Sequence, residues 1–304
     1  MMGPVAGRAS ISPTRTGPGR LIEGMLGLGD NIYQRPVVQW LAAQYGRVIL
    51  TTPWPSLYSD LQGVECAPPR PNLLRTQAAN IQRERAWYRW AAVPALPPAR
   101  LSYVGLQTRG IPIWRGLCQS VGMPGSEYYL QLEASPLLGA GWVIVHPHTL
   151  RLEWPARRRG PDPAVWPVVV EEIRRAGRRI AVAAWIQPPH EVWDGWEPAG
   201  VDRAWLRGEL HLHDLIRLHA GVDLVVTAVG YPVPLCQALG TPCLVLHGGG
   251  RGVSGPSMID APARGTLDHI EPIAPCRCIN YNYCPCDRRL DLEQVRRMIR
   301  AALR

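Results

Sequence analysis

Near its C-terminal end the chain carries four cysteines, Cys276, Cys278, Cys284 and Cys286, as two Cys-x-Cys pairs five residues apart. Four thiolates this close can surround a zinc ion tetrahedrally, and a reducing compartment favours that over two disulfides. The same residues also read as free structural thiols. The Cys-x-Cys spacing, tighter than the usual Cys-x-x-Cys, predicts a turn inside each pair if all four are to chelate. Cys66, Cys118, Cys236 and Cys243 sit among apolar residues and read as core.

Toward the other end, Asp30 follows Gly27-Leu28-Gly29 at the close of an apolar run, Leu21–Leu26. A carboxylate can take the proton of an alcohol, a poor nucleophile, as the alcohol oxygen forms a new bond. Glycines just before it let the backbone approach a ligand. Asp30 reads equally as a cap on the helix that follows, and both roles stay open. A second glycine run, Gly248-Gly249-Gly250, offers backbone N–H groups to phosphate.

Formal charge is +9, carried wholly by arginine because the chain has no lysine; phenylalanine is absent too, which points to G/C-rich coding bias. A basic balance favours phosphate-bearing ligands, whether nucleotides, anionic glycans or nucleic acid, though it also fits an ordinary solvated surface. With 46% hydrophobic residues over 304 positions, two domains can each fill a core. No uninterrupted apolar run reaches the ~18 residues a membrane span needs. Residues 1–20 read as a flexible arm without a signal-type apolar stretch, and the chain reads as cytoplasmic.

A repeating strand–loop–helix pattern must position these groups. Leu21–Leu26, a helix through Ile32, Pro36, Val37, Trp40 and Leu41, and Arg47–Thr51 form one βαβ unit, with Pro36 expected in the first turns of its helix. A helix over Asn72–Trp90, a strand over Leu101–Gly105 and a helix over Ile113–Val121 follow. A second series runs from the strand Trp142–Val145 through the helix Ala164–Ala176, the strand Arg179–Ala184 and a loop, Gln187–Gly200. It continues with the helix Leu212–Ala220, the strand Asp223–Thr227, the helix Pro234–Leu239 and the strand Cys243–Leu246. An amphipathic helix, Leu292–Leu303, closes the chain.

This alternation predicts an α/β fold with parallel sheets covered by helices. The expected divisions are an arm (1–20), a first domain (21–138), a second (139–288) and a C-terminal helix (289–304). Ligands belong in the crevice at the carboxyl ends of the strands. No Gly-x-Gly-x-x-Gly follows either leading strand with an acid about 20 residues on, which argues against a dinucleotide-dependent oxidoreductase.

The Gly27–Asp30 loop with its helix and second strand resembles the opening of family 9 glycosyltransferases, the heptosyltransferase-like group with the GT-B fold. Leu210–Gly248, with Ala238-Leu239-Gly240-Thr241-Pro242 inside it, resembles their second half more closely, and the likeness extends over residues 20–303. It implies two Rossmann-like doubly wound domains facing a cleft, and transfer of a hexosyl- or heptosyl-type sugar from a nucleotide-sugar donor to a hydroxyl acceptor. No cofactor is required for catalysis, since arginine and helix N-termini can neutralise the leaving group. The resemblance implies Asp30 as general base, Thr149 and Arg151 in the loop His146–Trp154 as donor-diphosphate contacts, and His213 or Asp214 as the ribose contact. Gly27 and Gly29 belong to the acceptor-side loop, and Gly230, Gly248 and Gly249 to the donor side. Arginine suits phosphate because its planar fork donates two N–H groups. Arg157, Arg158 and Arg159 read as a solvated cluster.

The sequence also departs from the family. An Asp and a His expected before Ala-Leu-Gly are missing, with Val229 and Pro234 at those positions. A binding protein that keeps the two-lobed shell without catalysis is therefore the alternative reading. The acceptor reads as a glycan, or as modified nucleic acid in a phage setting, which a basic groove with aromatic side chains could hold.

Overall fold

A computed structural model describes residues 19–70, 74–125, 128–153, 159–279 and 284–304. Residues 1–18 of the expected arm lie outside them; Gly19 is buried, and Arg20 already opens the first strand. The first lobe comprises β1 (Arg20–Glu23), α1 (Leu28–Tyr45), β2 (Val48–Thr51), β3 (Val64–Ala67), α2 (Arg75–Glu84), β4 (Ala99–Arg100) and α3 (Ile113–Val121). Its strands pair in parallel in the order β3-β2-β1-β4.

The second lobe comprises β5 (Trp142–His146), β6 (Thr149–Arg151), α4 (Val165–Arg175), β7 (Arg179–Ala183), β8 (Glu191–Trp193), β9 (Arg203–Trp205), α5 (Leu212–His219), β10 (Leu224–Ala228), α6 (Pro232–Leu239) and β11 (Cys243–Leu246). Two short helices, α7 (Arg251–Ser254) and α8 (Pro256–Ile259), then β12 (Leu267–Ile270) and α9 (Leu292–Ala302) complete it. Six strands form a parallel sheet in the order β12-β11-β10-β5-β7-β9, and β6 and β8 form a separate antiparallel ribbon. Taken from β9, the chain order is third, second, first, fourth, fifth, sixth, the doubly wound order whose direction reverses between β5 and β10. Nearly every residue of β5, β10 and β11 is buried, as helices on both faces require.

One hydrophobic core is continuous between the lobes. It runs from Ile22 and Leu50 of the first sheet through Ile32 and Val37 of α1 to Val233 and Cys236 of α6 and Val225 of the second sheet. On the far face of the second sheet, Val295, Ile299 and Leu303 pack α9 against Trp166, Val169 and Ile173 of α4. No described helix is long and apolar enough to cross a membrane.

Several elements differ from expectation for identifiable reasons. Helix α2 stops at Glu84 instead of reaching Trp90. Beyond it, the Tyr88 hydroxyl accepts from the Cys66 N–H at 3.1 Å and the Ala91 N–H donates to the Cys66 carbonyl at 2.8 Å, so this segment covers the edge strand β3. The strand expected over Leu101–Gly105 ends at Arg100, and the chain turns through Gly105 at φ 84°. Pro36 lies well inside α1, which begins at Leu28, so the Ile32 carbonyl loses its usual helical partner. The loop Gln187–Gly200 contains β8. Strands β3, β9 and β12 carry Glu65, Arg203 and Asp268 and are only partly buried, so they lack the continuous apolar run that marks β5 and β11.

Candidate active site

The turn between β1 and α1 is braced by a buried polar network. Asn31 Nδ2 donates to the carbonyls of Met25 and Gly27 at 2.7 and 2.8 Å. Its Oδ1 accepts from Thr52 Oγ1 (2.6 Å), Gln34 Nε2 (2.9 Å) and Tyr58 Oη (2.9 Å), while Gln34 Oε1 holds the Met25 N–H at 2.8 Å. A network so fully satisfied fixes a single conformation. It sets the first turn of α1, where Asp30 sits.

Asp30 is the third residue of α1, not its cap; the cap position is Gly27. The carboxylate folds back over Gly27 and takes a bond from its backbone N–H, so the capping and cavity-facing roles coexist. A Cβ on Gly27 would lie 2.4 Å from Asp30 Oδ2, and one on Gly29 would lie 3.3 Å from Tyr231 Cα across the lobe boundary. A side chain at position 27 would displace the Asp30 carboxylate, and one at 29 would press on the Tyr231 backbone. Tyr103 Oη donates to Asp30 Oδ1 at 2.6 Å. Burial pushes the Asp30 carboxyl above its ordinary range, opposed by the Tyr103 bond, the charge of Arg159 and the Gly27 bond.

Asp30 borders a cavity of about 320 Å³ between the lobes. The carboxyl ends of β1, β5 and β10 open onto it, the place where doubly wound sheets bind ligands. On its second-lobe side stand His146, His148, Thr149, Arg151, Arg159 and Glu191, with Val229, Gly230 and Tyr231 beyond β10. Glu191 is buried in the ribbon. Its Oε1 accepts from Thr149 Oγ1 (2.7 Å) and Arg151 Nε (3.1 Å), and its Oε2 from Arg75 Nη2 (2.8 Å). Fixing Arg151 through Nε leaves its terminal fork as the part that can grip an anion. His146 cannot add positive charge: burial, then His219 and Arg151, press its pKa down to about 3.

Helix α2 crosses from the first lobe to the second at the edge of the same cavity. Arg75 and Arg83 both lie over the Trp185 ring, at 4.7 and 4.9 Å from its centroid. Arg75 Nη1 also donates to Gln187 Oε1 at 2.8 Å, and Arg83 Nη2 to the Gly208 carbonyl at 2.6 Å.

Of the residues singled out from sequence, Asp30, Thr149, Arg151, Gly27, Gly29 and Gly230 share this cavity. His213 and Asp214 do not. Leu212 and Leu215 face inward from α5, so helical spacing turns the two residues between them outward; His213 is exposed and Asp214 pairs with Arg217 at 3.4 Å. Gly248 and Gly249 are buried but do not border the cavity, where Val253 and Ile259 form the wall instead. Arg159 is not part of a solvated cluster: it lines the cavity, while Arg157 and Arg158 lie outside the described residues. Tyr103, Glu191, Arg75 and Trp185 carried no motif. Only the tertiary fold brings them in.

The four C-terminal cysteines converge, their sulfurs all lying within 4.8 Å of one another. Cys276 faces Cys284 at 3.5 Å and Cys278 faces Cys286 at 3.8 Å. A tetrahedral ion with ~2.3 Å bonds to sulfur sets its ligands ~3.8 Å apart. The set fits. Neither Cys-x-Cys pair contains the expected turn, because residues two apart in a stretched chain project to the same side. Burial opposes the Cys276 thiolate, but N–H groups of Arg251, Cys278 and Gly250 and the Cys284 thiol outweigh it, bringing its pKa down to about 6.

Comparison with protein-family models and with curated proteins finds no match. Solved structures do match. TibC of enterotoxigenic E. coli H10407, an iron-containing dodecameric glycosyltransferase, aligns with TM-score 0.60 and 14% identity over 94% of this chain and 76% of its own. The E. coli ADP-heptose LPS heptosyltransferase II aligns with TM-score 0.57 and 14% identity over 94% and 98%. A family 9 glycosyltransferase from Veillonella parvula DSM 2008 aligns with TM-score 0.52 and 12% identity over 94% and 97%. The fold is that of the family 9 glycosyltransferases. Within this heptosyltransferase-like GT-B fold the cavity lies where the two parallel sheets face each other.

Replacing Glu191 with Gln tests the anchoring of Arg151. Arg75 and Arg151 would lose their shared counter-ion, with an expected destabilisation of about 1–3 kcal/mol in urea unfolding. That is below the value for a fully buried pair because the Arg151 side chain is 33% exposed.

Proposed function

We propose that this chain transfers a sugar from a nucleotide-sugar donor to a hydroxyl acceptor, with no metal at the reacting atoms. The observation that carries the proposal is a carboxylate and an anchored arginine fork on opposite sides of one cavity. Asp30 takes the acceptor proton as that oxygen bonds to the anomeric carbon. The bond from sugar to phosphate breaks, and the nucleoside diphosphate leaves with the electron pair. Arg151 and Arg159 stabilise its developing charge, while Thr149, whose one hydroxyl proton goes to Glu191, helps hold the carboxylate that anchors Arg151. Structures of this fold have been solved with ADP and with ADP-D-β-D-heptose, so ADP-sugars head the panel of donors to test.

The four cysteines would hold a tetrahedral zinc or iron ion away from the cavity, where it would supply structure rather than chemistry. Eight free cysteines suit a reducing, intracellular compartment.

A second reading, a binding protein with the same shell, draws on Val229 and Pro234. Val229 lines the cavity and Pro234 packs at Gly29, so neither supplies a polar group to a sugar. Thermal shift and turnover against nucleotide sugars separate the two: binding with release of nucleoside diphosphate supports transfer, and binding without it supports the shell. A glycan is the proposed acceptor. A mobility shift with single-stranded DNA that falls steeply with salt would instead favour a nucleic-acid acceptor.

A further inference from the structure

We infer that Tyr103 is a positioning residue for the transfer proposed above, its phenol holding Asp30 ionised and aimed into the cavity. The inference rests on that reading of the reaction but can be tested without it. Tyr103 Oη meets Asp30 Oδ1 at 2.6 Å, within the short range of a hydroxyl donating to a carboxylate. The local fold is arranged around this contact. Strand β4 breaks off after Arg100, three residues before Tyr103, and the chain turns at Gly105. Helix α3 packs directly on Tyr103 through Gly116, where a Cβ would lie 2.7 Å from Tyr103 Cβ. A side chain there would push the phenol off its place.

The need for such a donor follows from where Asp30 sits. Burial favours its neutral form, and a protonated carboxyl cannot accept a proton from the acceptor. Among the influences that favour the ionised form, the Tyr103 bond is the largest, ahead of the charge of Arg159 and the Gly27 bond. Tyr33 and Tyr58, beside the buried side of α1, are kept as neutral phenols by their own burial and add no negative charge near Asp30. Tyr103 therefore supplies the hydroxyl that most favours the ionised form of this base.

Tyr103→Phe removes that hydroxyl and keeps the ring. In the full chain labelled with [13C]aspartate, the Asp30 carboxyl (assigned by its loss in Asp30→Asn) should titrate about one pH unit higher in Tyr103→Phe than in the parent. The same titration in both proteins would overturn the inference. Where turnover is measurable, the acid limb of kcat/KM should rise with it, giving roughly tenfold less transfer at low pH and recovery as pH increases. In an Asp30→Asn background, Tyr103→Phe should have no further effect on rate; a further loss would assign Tyr103 a role apart from Asp30. A shifted titration with no nucleotide sugar turned over by either protein would remove the transferase reading while leaving the Tyr103–Asp30 coupling intact.

Discussion

Replacing Asp30 with Asn should lower transfer by roughly 10²–10⁴-fold while leaving donor affinity within about twofold. The asparagine keeps the size of the side chain and an oxygen for the Tyr103 hydroxyl, but it cannot take a proton. The groups proposed to hold donor phosphate lie on the other lobe, so binding measured by calorimetry should persist. Stability should move in the opposite direction from activity. The folded Asp30 carboxyl has a raised pKa, so its contribution to folding is fully present below the ordinary carboxylate value and is lost as pH rises through the raised one. Once ionised, the group opposes folding. Asp30→Asn should therefore melt at the same temperature as the parent or higher at pH 7, and the difference should vanish toward pH 3. Full activity in Asp30→Asn would remove this residue from the mechanism.

Removing the ion proposed for the four cysteines should cost more stability than any change in the cavity. Ion binding to such sets reaches apparent values of ~10–16 kcal/mol in small zinc domains; in a chain with two cores of its own, only part of that appears as folding energy. Cys284→Ser should lower the melting temperature by roughly 10 °C or more and reduce metal content from about one ion per chain to near zero in elemental analysis. Cys66→Ser, a buried thiol far from the cluster in sequence, should leave metal content unchanged. A chain that carries no metal and tolerates Cys284→Ser would make the cluster four packed thiols. The effect should reach the cavity as well. Cys276 takes bonds from the Gly250 and Arg251 backbone, the Gly252 N–H donates to the Cys278 carbonyl at 3.0 Å, and the Val253 carbonyl accepts from Gln107 of the first lobe at 3.2 Å. Losing the cluster should loosen this wall.

The alternation of strand and helix was legible in the sequence because Trp142–Val145, Leu224–Val226 within Asp223–Thr227, and Cys243–Leu246 are continuous apolar runs, the mark of strands covered on both faces. The place of Asp30, Thr149 and Arg151 beside the cavity was legible because each follows the leading strand of its lobe, although Thr149 and Arg151 lie in the short strand β6 instead of the expected loop His146–Trp154. Glu191 and Tyr103 were not. Each acts through a partner far away in the chain, and neither its residue type nor its spacing signals that partner. Arg75 and Arg83 lie eight residues apart, but only the Trp185 ring of the other lobe gives that spacing a meaning. His213 and Asp214 show the reverse error. An acidic residue in the first turn of a helix is favoured by the helix dipole whatever the function, and α5 turns it to solvent.

Gly29 and Tyr231 bring the starts of α1 and α6 into near contact, with no side chain between the two backbones. The lobes meet there backbone to backbone, and the same hydrophobic core that holds Ile32 of α1 holds Val233 of α6. A bulkier residue at position 29 would act as a wedge, holding the jaws apart while every group proposed for the chemistry remained intact.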